Sequence, residues 1–149
     1  MRFSFAKTLT FVIYSFLLTA TLFSAAKSSY TAAELKEKAL KEDSVQEGIA
    51  FIQEHLEKCA SSADKRSALH FLGTLQEQLG VYSEASRSYA KAAAIAATDA
   101  SGMEKVSSEQ LVLDAVRCSL NSGDWESANS YLNSAVRSSS DKNVLALVN

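Results

Sequence analysis

The chain has 149 residues, of which 47% are hydrophobic and 21% charged, with a formal net charge of −2. This length fits one domain behind a targeting segment, the apolar content argues against general disorder, and the near-neutral charge gives no electrostatic case for nucleic-acid binding. Two Cys are too few for a disulfide scaffold or a four-ligand structural zinc site, and there is no Pro to interrupt a helix.

The first 26 residues differ in composition from the rest of the chain. Arg2 and Lys7 form a basic start, an uncharged and largely apolar stretch comes next, and small residues precede Lys27. This order predicts a secretory signal peptide over 1–26 and an exported domain, periplasmic or secreted, over 27–149. An uncleaved membrane anchor is the alternative, although Thr and Ser interrupt the apolar run. Cleavage would leave a mildly acidic chain, for which no membrane contact is expected.

Good helix formers dominate after residue 27, and no stretch alternates with the two-residue period of a strand. Capping-box sequences start at Thr31, Ser44 and Ser107, where a hydroxyl and a later acid or amide satisfy free backbone amides. Gly80 and Gly123 come after apolar-periodic runs, where a left-handed residue ends a helix at low cost. The pattern predicts six helices in three hairpins, over 31–41, 44–60, 63–79, 83–97, 107–121 and 124–139, and allows a short last helix near 141–148.

The spacing of large and small residues in the middle of the chain is specific. Its pattern is Leu69-x2-Leu72-Gly73, then Gly80-x-Tyr82-x2-Ala85-x3-Tyr89-x2-Ala92. This resembles a tetratricopeptide repeat, a pair of helices with Leu-Gly in the first helix and an aromatic residue after the turn. The resemblance implies that small residues, Gly73 above all, lie where the two helices cross closely, and that Tyr82 and Tyr89 fill the gap between them.

The second half of this pattern recurs at an offset of 43 residues. The recurrence is Gly123-x-Trp125-x2-Ala128-x3-Leu132-x2-Ala135. The period of the family is about 34, so the extra residues fall in the polar loop 98–106. Ala115-Val116 replaces Leu-Gly in this unit, and in the weak first unit His55 replaces an expected Ala. The resemblance implies an all-α solenoid of about three helix hairpins, and a generic helical bundle is the alternative.

Two pairs of residues are considered, one as metal ligands and one as a disulfide. His55 and Cys59 are spaced to face one metal ion, but two ligands are too few, so no metal or cofactor is predicted. Cys59 and Cys118 could form a disulfide after export. A repeat contacts mainly its neighbours, however, which would keep these residues too far apart, so buried free thiols are expected.

His70 shares a helix face with Ser67, Thr74 and Glu77, and His, Ser and Glu are the residue types of a hydrolytic triad. The chain has no strained nucleophile turn and no readable oxyanion hole. An enzyme is therefore a remote alternative, and no catalytic residue is predicted.

In the tetratricopeptide family the first helices of the pairs line a concave groove that holds a peptide or a helix of another protein. The resemblance therefore implies an exported protein-interaction module, an adaptor, scaffold or assembly factor. A clamp for a terminal carboxylate is disfavoured, because Ala33 and Glu37 stand in the first unit and only Arg117 supplies positive charge further on. The predicted groove residues are Ser67, His70, Thr74, Glu77, Gln78, Gln110, Leu113, Arg117 and Leu120.

A second function class stays open. The apolar run 144–148 near the end of the chain could dock on a sister chain, which would make the protein a self-associating structural component of the cell envelope. For each predicted groove residue, plain solvated surface is the competing interpretation.

Overall fold

The computed structural model describes residues 29–96 and 106–138, and their secondary structure is helical. The six helices are α1 Ala32–Ala39, α2 Val45–His55, α3 Ser62–Gln78, α4 Tyr82–Ala94, α5 Ser108–Asn121 and α6 Trp125–Ser138. The all-α class and the six predicted helices are confirmed. The predicted signal peptide and the last helix near 141–148 lie outside the described residues. Within the described residues, every helix is too short or too polar to cross a membrane.

The second helix is shorter than predicted. It ends at His55, a 3-10 turn covers Leu56–Lys58, and Cys59 is extended. The Tyr30 amide donates to the Lys58 carbonyl at 2.8 Å, and the Ala60 amide donates to the Tyr30 carbonyl at 2.8 Å. The prediction of a helix up to residue 60 is wrong because this stretch pairs with the N-terminal segment, a contact between residues about 30 positions apart.

The caps predicted at Thr31 and Ser107 and the turns predicted at Gly80 and Gly123 are present in the structure. At Thr31 the capping box is complete, since its hydroxyl accepts from the Glu34 amide and its own amide donates to the Glu34 carboxylate at 2.8 Å. The Ser107 hydroxyl likewise accepts the amide three residues later, at 3.1 Å. Gly80 and Gly123 have φ angles of 72° and 77°, which side-chain-bearing residues rarely adopt. Both turns therefore form as the sequence predicts.

Helix α3 is shared by two apolar clusters. It packs against α4 on one side and against α1 and α2 on the other, and α4, α5 and α6 pack in chain order. The first cluster joins α3, α4 and α5 and consists of Leu69, Ala85, Tyr89, Ala92, Leu111, Ala115 and Cys118. The second cluster joins α1, α2 and α3 and consists of Ala39, Ile52, Leu72 and Leu75. Each helix pair therefore shares its core with the next pair.

The crossing of α3 and α4 depends on a glycine. A Cβ atom at Gly73 would lie 2.7 Å from the Tyr89 ring, which is 3% exposed. Ala85 and Ala92 are fully buried on the same helix as this tyrosine, and Tyr82 is half-buried against the first cluster. The close crossing expected at Gly73 is thus present.

A buried arginine joins the end of α4 to the start of α5. The Arg66 guanidinium donates to the carbonyls of Ala92 and Val106 at 3.2 and 3.0 Å, to the carbonyl of Ile95, and to the Ser108 hydroxyl at 3.2 Å. Carbonyls at the end of a helix carry the negative end of its dipole, so they partly balance the buried charge. Arg66 therefore holds together the two ends that residues 97–105 connect.

Candidate functional site

The predicted groove residues lie on two helices that contact each other through their side chains. Those on α3 are half-buried except for the last, and those on α5 are exposed. The α3 residues are Ser67, His70, Thr74, Glu77 and Gln78, and the α5 residues are Gln110, Leu113, Arg117 and Leu120. The structure therefore exposes five of the nine side chains to solvent, and the other four are half-buried.

An ion-pair network connects the two helices. The Arg117 guanidinium contacts both carboxylate oxygens of Glu77, with Nη2 at 3.1 Å from Oε2, and it also contacts Asp114 Oδ1 at 3.1 Å. The hydrogen bond from Arg117 lowers the pKa of Glu77 and raises the pKa of the guanidinium. Arg117 is therefore fixed in position by two acids, one on each helix.

The network continues into the core through a tyrosine. The Tyr89 hydroxyl lies 3.1 Å from Glu77 Oε2 and 3.4 Å from Thr74 Oγ1. Its single proton goes to the carboxylate, because a charged acceptor makes the stronger bond. The Thr74 hydroxyl donates to the His70 carbonyl at 3.1 Å. Burial raises the pKa of Tyr89 to about 12, so the hydroxyl stays protonated and keeps this bond at neutral pH.

Two leucines lie beside the network. Leu113 and Leu120 are 46% and 40% exposed, and they are two of six large hydrophobic residues exposed among the described residues. They are seven positions apart on α5, which places them on one face about 10 Å from each other, with Arg117 between them. We call Leu113, Arg117 and Leu120 the α5 face.

The other predicted groove residues take different positions. The His70 ring lies 5.8 Å from the Tyr89 ring at an angle of 45°. Gln110 donates to Asp114 at 3.3 Å, which places it at the edge of the network. Ser67 and Gln78 lie outside it. The carboxylate that a triad would need belongs to Glu77, whose oxygens are bonded to Arg117 and Tyr89.

His55, one of the two residues considered for metal binding, lies in a packed aromatic cluster. His55 stacks on Phe51 with ring centroids 4.4 Å apart, and Tyr30 meets the imidazole edge-on at 5.1 Å. His55 Nδ1 is 2.9 Å from the Phe51 carbonyl. Among the residues that the structure describes, no group of three or more His, Cys, Asp or Glu side chains could hold a metal ion.

Both cysteines are free thiols in the structure. Cys118 is fully buried in the first cluster, and burial raises its thiol pKa to about 11. Cys59 is half-buried, and its thiol pKa is also raised by burial. Both therefore stay as thiols at neutral pH, and thiols are much weaker nucleophiles than thiolates.

Sequence reasoning missed two members of the network. Asp114 is three residues before Arg117, a spacing at which opposite charges meet on a helix, so this pair could have been found. Tyr89 was assigned only a packing role, and its hydroxyl bond to Glu77 needs the relative position of α3 and α4. Comparisons with protein-family models, curated proteins and solved structures found no match to this chain.

Proposed function

We propose that this chain is an exported protein-interaction module built from tetratricopeptide-like helix pairs stacked as a solenoid. The crossing at Gly73, the two turn glycines and the contacts between successive helices support this architecture. In such a stack the first helices of neighbouring pairs lie side by side, and the Glu77–Arg117 pair links two first helices. Export to the periplasm or the outside rests on the composition of residues 1–26, which lie outside the described residues.

The α5 face is the proposed binding surface, and its exposed leucines are the observation on which the proposal depends. Two apolar side chains about 10 Å apart match the i and i+7 anchors of an amphipathic helix. Arg117 lies between them and is immobilised by Glu77 and Asp114. A guanidinium that is already ordered loses little conformational entropy on binding, so it can orient a polar group of the partner.

The charge of this surface narrows the class of partner. Arg117 is balanced by two carboxylates, so the surface has no net positive charge that would attract a terminal carboxylate or a nucleic acid. The proposed occupant is therefore a peptide or helix whose main anchors are apolar. Binding should depend only weakly on salt, because charge screening leaves apolar contacts largely unaffected.

The test is capture of a partner on the immobilised protein from an envelope or secretory extract. A variant with Leu113→Ser and Leu120→Ser should lose the captured protein, since each change removes an apolar anchor. The matched control is Leu40→Ser, because Leu40 is 63% exposed and lies at the end of α1, outside the α5 face. Capture that is equal on all three proteins, with circular dichroism showing intact helices, would rule out the α5 face.

A self-associating structural protein is the second candidate. Trp125 is 72% exposed at the start of α6, whereas tryptophan is highly buried on average in folded proteins. The molar mass in solution, measured by light scattering across a dilution series, separates the two functions. A mass that stays at one chain at all concentrations would remove self-association.

A further inference from the structure

An open apolar pocket of about 390 Å³ lies between α4, α5 and α6. Alanines form most of its wall, and Val112, Tyr131 and Ser134 complete it. A cavity of roughly 150 Å³ is enough to hold a benzene molecule, so this pocket has room for about two aliphatic side chains. The pocket is a different surface from the α5 face, so its occupant is independent of the proposed function.

At two positions that line the pocket, α5 carries smaller side chains than α3 does at the matching positions. At the offset of 43 residues, Val112 and Ala115 correspond to Leu69 and Leu72. Both leucines are 3% exposed and fill the core beside α3. The shorter side chains of α5 contribute to this open volume, and unfilled apolar volume lowers stability.

The last described residues of the chain lie next to the pocket. Ser134 and Ala135 line it, and both lie close to the end of α6 at Ser138. Residues 144–148 read Val-Leu-Ala-Leu-Val, five apolar residues in a row. The six residues from Ser138 to Val144 can span about 20 Å when extended, which is enough to turn back over α6.

The segment between α4 and α5 that lies outside the described residues is a second candidate occupant. Residues 97–105 connect α4 to α5, but most of them are polar, charged or glycine. The pocket is apolar, so the C-terminal run is the better chemical match. A short tether also gives the run an effective concentration in the millimolar range, which favours its own pocket over that of a second chain.

We propose that residues 144–148 fill the pocket of their own chain and complete the core of the last helix pair. The run would supply there the aliphatic volume that Leu69 and Leu72 supply beside α3. Its apolar side chains would then be withdrawn from water rather than offered to a sister chain.

The experiment measures how fast a cysteine in the pocket reacts with a maleimide. Ala94 lines the pocket and is exposed, so the probe variant is Ala94→Cys with Cys59→Ser, while Cys118 stays because it is fully buried. The protein is purified after expression of the full chain. Covering the pocket should slow labelling about tenfold or more relative to a variant in which Leu145 and Leu147 are changed to Asp.

The matched control is Lys91→Cys, which is exposed on the same helix and lies outside the pocket lining. Its labelling rate should be the same with and without the two Asp substitutions. A chain that ends at residue 140 provides a second way to open the pocket, with the same tenfold acceleration expected.

Three results would overturn the proposal. Equal labelling of Ala94→Cys before and after the C-terminal changes would show that the run does not cover the pocket. Protection that disappears on dilution would show that the run of a second chain fills it. Acceleration of the Lys91→Cys control as well would show that the changes loosen α4 generally.

Discussion

The hairpin of α3 and α4 and the hairpin of α5 and α6 can be compared position by position at an offset of 43 residues. Gly80 and Gly123 both have a positive φ angle and end the first helix of each pair. Ala85 and Ala128 are both buried five residues later, at 0% and 3% exposure. Local signals that occur twice in the sequence therefore produce the same turn twice.

The two hairpins differ where contacts come from a neighbouring pair. Tyr82 is half-buried against a cluster that includes residues of α5, whereas its counterpart Trp125 is 72% exposed. Gly73 and the buried Tyr89 correspond to Val116 and the half-buried Leu132. The burial of a residue in this fold therefore depends on the neighbouring helix pair as much as on the residue's own identity.

The largest effect is expected when the residues at the crossing of α3 and α4 are replaced by those at the matching positions of α5 and α6. Gly73→Val should lower the free energy of unfolding by about 3 kcal/mol, because a Cβ there would lie 2.7 Å from the Tyr89 ring. The double variant, which also carries Tyr89→Leu, has the same two residue types as positions 116 and 132. Its loss of unfolding free energy should be smaller, by at least about 1 kcal/mol, than the sum of the losses in the two single variants. Urea denaturation of the two single variants and the double variant measures this coupling.

The control for this exchange is Val116→Ala in the last hairpin. It only removes methyl groups from a residue that is 7% exposed, so a loss of about 1 kcal/mol is expected. Additive effects of the two substitutions at 73 and 89 would contradict the interpretation that the tyrosine ring is what requires glycine on α3.

These positions show how far the sequence determines the structure. The turn at Gly80, the cap at Thr31 and the crossing at Gly73 could be predicted, because each is specified by residues close in sequence or by a repeated spacing. The end of α2 at His55 could not, since it depends on pairing between Tyr30 and residues 58–60. Part of the candidate site could also be predicted, because the faces of α3 and α5 can be derived from helical periodicity.

The details of that site depend on how the helices are placed. The contact between Arg117 and Glu77 joins residues 40 positions apart, and the bond from Tyr89 to Glu77 joins two helices. The pocket between α4, α5 and α6 arises from side-chain volume on three helices. Helical periodicity predicts which face of its own helix a side chain lies on, but it does not predict how far away the neighbouring helix is.

An intermediate effect is expected from pH, because the Glu77–Arg117 ion pair is one of the contacts that link the two hairpins. Arg117 lowers the pKa of Glu77 below its ordinary value of 4.5 in the folded chain. The stabilisation is therefore complete above pH 4.5 and is lost as the pH falls through the lower, folded pKa. Because Arg117 is about half exposed, the loss should be about 1 kcal/mol, measured as the change in unfolding free energy between neutral and acidic pH.

The variant Glu77→Gln isolates this contribution from the other acids. It should be less stable than the parent at neutral pH and equally stable at low pH, where Glu77 is already protonated. In an Arg117→Gln background the same change should matter much less at neutral pH. A full-sized effect in that background would mean that the Tyr89 bond, rather than the ion pair, accounts for the contribution of Glu77.

The smallest expected effect tests the comparison at the aromatic position after each turn. Trp125→Ala should change the free energy of unfolding by less than about 0.5 kcal/mol, because the side chain is 72% exposed. Tyr82→Ala should cost about 2 kcal/mol, since the ring packs on the first cluster. If the two substitutions cost the same in urea denaturation, Trp125 must be covered in solution. A cost that falls on dilution would then identify a second chain as the cover, whereas a cost independent of concentration would identify a segment of the same chain.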